Sequence, residues 1–61
     1  MTNFTINQIV KAKGESPFVI IGFRNLDGEN YAQVKCVNPA NLSQTSAGEF
    51  ALPIAILRNY N

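Results

Sequence analysis

Three stretches of this chain read as strands, two from a period-two alternation of apolar and polar residues that buries one face and one from a continuous apolar run. In the first, Gln8 to Lys13, Val10 and Ala12 alternate with Ile9, Lys11 and Lys13. The second, Phe18 to Arg24, is the strongest strand signal, dominated by β-branched and aromatic residues. The third, Asn30 to Asn38, sets Ala32, Val34 and Cys36 in one phase against Tyr31, Gln33, Lys35 and Val37 in the other, and the first set suits an interior. Turn signals separate the three. Gly14-Glu15-Ser16-Pro17 stands before the second run, with glycine free to take positive φ and proline fixing the chain behind it. Asp27-Gly28, within Asn25 to Glu29, predicts a tight hairpin because both residues tolerate the left-handed backbone such turns need.

Pro39 to Ala47 is polar and reads as the longest connection, with Ser43 to Ala47 expected to be its mobile part. Glu49 to Leu52 predicts a short fourth strand, ended by Pro53, which has no N–H to donate. Pro53 to Ile56 predicts one 3₁₀ turn, and Leu57 to Tyr60 a closing strand. This order of elements predicts an all-β chain, a small five-stranded SH3-like barrel in a single domain over residues 1–61. Pairing of the first strand with the last is expected to close it and remove its edges. An OB-like barrel is the rival, disfavoured because it needs a longer chain and a helix between the third and fourth strands. The expected core is Val10, Phe18, Ile20, Val34, Cys36, Leu52 and Leu57.

At 61 residues, the chain can bury only about 60% of its unfolded surface, so composition decides what else could stabilise it. One cysteine and no histidine exclude an internal disulfide and leave too few soft ligands for a structural zinc site. The charged fraction, 15%, is low, and eight asparagines and three glutamines supply much of the polar surface. A net charge of +1 gives almost no long-range field toward nucleic acid or an anionic membrane. Apolar runs such as Phe18 to Ile21 fall far short of the roughly 20 residues that cross a bilayer, so no membrane association is expected. Met1 to Thr5 has neither the basic nor the apolar segment of a secretory signal. An unpaired thiol fits a reducing compartment, and the expected location is cytoplasmic.

Val10, Lys13-Gly14, the run Phe18, Ile20 and Gly22, the Val34-x-Cys36 pair and the spacing of Leu52 and Leu57 together resemble a family of small bacterial proteins typified by YodC. The chain departs from that family in three places. Its proline, Pro17, falls one position later, Asn38 stands where the family has a tryptophan, and the Asn25 to Asn30 hairpin is longer. Gly14, Pro17-Phe18 and Gly22 are also similar to a degenerate KOW motif, a hairpin of SH3-like barrels in ribosomal proteins and transcription elongation factors that contacts RNA or protein. Both resemblances imply an SH3-like barrel, and neither implies a particular activity.

No catalytic residue, metal ligand or cofactor is expected. Asp27 and Glu29 sit in one tight turn without the pocket and opposed geometry that acid–base chemistry needs. Ser43, Thr45 and Ser46 have no base in their segment, and Gly14, Gly22, Gly28 and Gly48 are too scattered to cradle a phosphate. Cys36, in phase with Val34, reads as a small buried hydrophobe, because no histidine exists to make it a thiolate.

Two surface features remain. If Phe18, Ile20 and Gly22 face inward, Val19, Ile21 and Phe23 face outward. Either the strand bends at Gly22 and buries both faces, or these three residues with Tyr31 form a patch for an unidentified protein partner or a second copy in a homodimer. Lys11, Lys13 and Lys35, with Tyr31 and Phe23, supply the alternative, a basic and aromatic face for single-stranded RNA or DNA. That binding is expected to be weak and salt-dependent, since Glu15, Asp27, Glu29 and Glu49 offset the charge. The expected function is therefore a small non-enzymatic interaction module, with protein binding ahead of nucleic-acid binding.

Overall fold

The computed structural model describes residues 4–60. Its strands are β1 (Ile9–Lys11), β2 (Pro17–Leu26), β3 (Glu29–Val37), β4 (Gln44–Pro53) and β5 (Arg58–Asn59), with one 3₁₀ turn over Ile54–Ile56 before the last. They form an antiparallel sheet in the order β4-β3-β2-β1-β5. The all-β expectation holds, and no α-helix occurs among the described residues. Leu26 pairs with Glu29 across the β2–β3 hairpin, leaving Asp27 (φ 53) and Gly28 (φ 84) as its two-residue loop. Two successive positive φ angles define the turn whose twist matches that of the flanking strands.

The long connection is shorter than expected, since Gln44 to Ala47 already belong to β4. The remaining loop is tied down by its own polar groups. The Asn38 N–H donates to the Ser43 carbonyl at 2.8 Å and the Leu42 N–H to the Asn38 carbonyl at 2.6 Å. Asn38 Oδ1 accepts from the Ala40 N–H, and Asn41 Oδ1 from both the N–H and the hydroxyl of Ser43. These bonds hold Leu42 at φ 58, a conformation uncommon for a bulky side chain.

Register decides the two faces. Residues directly opposite each other in an antiparallel pair project to the same side. Ile20 lies opposite Val34, but Gly22, two residues on, lies opposite Gln33, one residue back along β3. Ile21 is thus the extra residue of a β-bulge, and beyond it the alternation of β2 changes phase. Phe18, Ile20 and Phe23 face the same side as Cys36, Val34 and Ala32, whereas Val19, Gly22 and Arg24 face the side of Lys35, Gln33 and Tyr31. The bulge falls where the glycine suggested, yet a Cβ on Gly22 would come no nearer than 4.0 Å to that of Gln33, an ordinary contact. Steric need for glycine does not create the bend.

The larger buried cluster lies on the first of these faces, while Pro17, Val19 and Val37 are buried on the other. Val10, Ile20, Ala32, Val34 and Leu57 form that larger cluster, with Phe4, Ala12, Phe18, Leu52, Ile54 and Ile56 packed against it. Cys36, expected to be buried, is half-buried and outside that cluster. It has the core-side phase, opposite Phe18, but stands where the β3–β4 register breaks between Lys35 and Val37, so regular cover from β4 is lost there. The 3₁₀ turn contributes Ile54 and Ile56, which carry the chain over the core instead of extending the ladder.

The pairing of the first and last strands also differs in its consequence. β1 does pair with β5, Val10 opposite Asn59 and Lys11 opposite Arg58. The hydrogen-bonded sheet nevertheless does not close into a barrel, because β4 and β5 are its two ends and neither has a further strand beside it among the described residues.

Candidate interaction surfaces

The bulge disperses the apolar set expected on the outer side of β2. Val19 is opposite Lys35 and only 7% exposed. Ile21 occupies the bulge and is half-buried, and Phe23, 44% exposed, stands opposite Ala32 on the core side. Tyr31 is half-buried opposite Arg24 on the other face. Val19, Ile21, Phe23 and Tyr31 therefore do not compose one patch. An extra residue moves every later side chain to the opposite side, so alternation counted along β2 misplaces Phe23.

Four of the basic residues, by contrast, share one face of the sheet. Lys11 lies opposite Pro17 and Arg58, Lys35 opposite Val19 and Glu49, and Arg24 opposite Tyr31. All these positions project from the face opposite the core, so Lys11, Arg24, Lys35, Arg58 and Tyr31 share it. Lys13 stands apart in the exposed bend after β1, and Phe23 is on the wrong face to join them. Arg24 and Arg58 were not singled out from the sequence; their place follows only from register. Lys11 directly opposite Arg58 is an unfavourable like-charge pair. Acidic groups moderate the face: Lys11 Nζ is 3.6 Å from Glu15 Oε1, and Glu49, opposite Lys35, accepts from Gln33 Nε2 at 3.2 Å. With Glu15 almost fully exposed, its ion pair contributes little.

The third surface is the outer edge of β4. The Ile20 N–H donates to the Gln8 carbonyl at 3.0 Å, and the Ile20 carbonyl accepts from the Asn7 N–H at 2.7 Å, so both backbone groups of Ile20 point toward β1. Val34, opposite Ile20, must then direct its own pair away from β2 and toward β4. Phe50, opposite Val34, answers it. Since backbone direction alternates along a strand, Glu49 and Ala51 direct their N–H and C=O groups away from the sheet. Phe50 between them is 45% exposed, its ring edge-on to Phe18 with centroids 6.2 Å apart and planes at 88°. The window is bounded by the register break on one side and by Pro53 on the other. Proline in an outward-facing position loses no ladder bond and blunts the edge there.

Among the described residues no cluster of His, Cys, Asp or Glu could hold a metal ion, and no helix is long and apolar enough to cross a membrane. Comparison of the chain with protein-family models, curated proteins and solved structures finds no match.

Proposed function

We propose that this chain is a small SH3-like barrel module with no chemistry of its own, which binds a protein partner as an extended segment laid along the edge of β4. Recognition of this kind takes affinity from main-chain hydrogen bonds and selectivity from alternate side chains. The observation that carries the reading is the window Glu49 to Ala51, without a strand beside it among the described residues and with half-exposed Phe50 at its centre. The SH3-like part is supported by the strand order β4-β3-β2-β1-β5 and by the 3₁₀ turn before the last strand, with the edge between β4 and β5 left unzipped. To test it, an alternating valine–threonine peptide is titrated into isotope-labelled protein. Saturable shifts of the Glu49 and Ala51 amides are expected, and shifts confined to other residues would refute the assignment.

A second reading, binding of single-stranded nucleic acid, is favoured by the shared face of Lys11, Arg24, Lys35, Arg58 and Tyr31. Cations can follow a phosphate backbone while an aromatic ring stacks a base. It ranks second because Glu15, Glu49 and a net charge of only +1 leave little field to drive it.

A further inference from the structure

We infer that the segment received by the β4 edge belongs to a second copy of this chain, paired antiparallel about a two-fold axis at Phe50. The inference rests on the reading of that edge as a strand-accepting surface and adds the identity of the occupant. A two-fold antiparallel pair must set one residue against itself. With Phe50 at the axis, Glu49 of each copy faces Ala51 of the other, and both residues exchange their outward N–H and C=O groups fully. No neighbouring register does as well. Placing Ala51 at the axis brings Glu49 opposite Pro53, which has no N–H to give. Placing Glu49 there sets two carboxylates face to face.

The side chains agree with the backbone. Phe50 at the axis occupies a non-hydrogen-bonded site, where opposed side chains approach most closely, and its ring is 45% exposed with Phe18 against it from its own chain. Glu49, the charged residue of β4, meets only an alanine, and its carboxylate is already held by Gln33. A net charge of +1 sets up little repulsion between copies. One strand pair buries much less than the roughly 1,200 Å² of a standard interface, so the dimer is weak and concentration-dependent.

Sedimentation velocity over about 10 μM to about 1 mM, the range suited to a sub-standard interface, should show the whole chain passing from monomer toward dimer. Ala51→Pro removes an outward N–H from each copy and leaves the β3 ladder intact; at about 1 kcal/mol for each of two lost bonds, association should weaken about thirtyfold. Should that variant fail to fold, Phe50→Lys and Phe50→Glu carry the test. Each alone sets like charges face to face and should stay monomeric, while an equimolar mixture should associate again. A monomeric wild type at the highest concentration, an unaffected Ala51→Pro variant, or a mixture that stays monomeric would each overturn the dimer. If the chain is monomeric yet the valine–threonine peptide shifts the Glu49 and Ala51 amides, the second copy is the wrong occupant and the edge reading stands. If neither happens, both fall.

Discussion

Ile20 and Ile21 are identical neighbours, and the bulge between Ile20 and Gly22 gives them different surroundings. Ile20 is fully buried among Val10, Ala32, Val34 and Leu57, whereas Ile21 is the half-buried extra residue. Ile20→Ala deletes three carbons from a packed site and leaves a cavity, a change that costs about 2–5 kcal/mol. For a chain of 61 residues, total stability is about 3–9 kcal/mol at 0.05–0.15 kcal/mol per residue, so this substitution removes about a fifth of it or more. Ile21→Ala deletes the same atoms from a side chain that already meets water. A buried isoleucine is worth about 1.5–3 kcal/mol by transfer, so half burial without a closed cavity gives about 1 kcal/mol. Urea unfolding followed by far-ultraviolet circular dichroism resolves the two. With a slope near 1 kcal/mol/M, the midpoint should fall by about 2 M or more for Ile20→Ala and by about 1 M for Ile21→Ala. Equal losses, or a larger loss for Ile21→Ala, would show that the phase of β2 is not the one derived from its pairing.

Val19→Lys should unfold the domain by burying an unpaired charge, while Phe23→Lys, at a half-exposed position, should keep the same circular dichroism spectrum and lose about 1 kcal/mol or less. Gly28→Ala should cost about 1–2 kcal/mol in urea unfolding because Gly28 holds φ 84, whereas Gly22→Ala, with space for its Cβ, should be neutral or stabilise by up to about 1 kcal/mol. If the cationic face binds single-stranded RNA or DNA, fluorescence anisotropy at low salt should give a slope of log affinity against log salt near −3, about 0.7 for each of four cations. Lys11→Glu with Lys35→Glu should then roughly halve that slope without unfolding the protein; an unchanged slope removes those lysines from the contact, and nanomolar affinity at physiological salt would put this reading ahead of protein binding.

Much of the architecture was legible because its causes are local. Alternation marked β1 and β3, a β-branched and aromatic run marked β2, and the positive φ required at both loop positions made Asp27-Gly28 a hairpin before any partner strand was known. The interior phase of Ala32 and Val34 and the 3₁₀ turn before the last strand were read in the same way. The start of β4 was missed, because Gln44 to Ala47 is polar and its strand conformation comes from pairing, with Val37 opposite Gln44.

Residues and local chemistry determined by themselves that the chain is all-β, that Ala32 and Val34 face the interior, where the chain turns, and that these 61 residues can form neither an internal disulfide nor a histidine-based site. Tertiary structure alone decided that Val19 and Phe23 part company, that Arg24 and Arg58 share a face with Lys11 and Lys35, that Cys36 stays outside the core cluster, and that β4 has no strand beside Glu49 and Ala51 among the described residues. The reason is the same in each case. Alternation and turn propensity are properties of a segment, but register is a relation between two segments. One inserted residue leaves the composition of β2 unchanged and still reverses the face of every side chain beyond it.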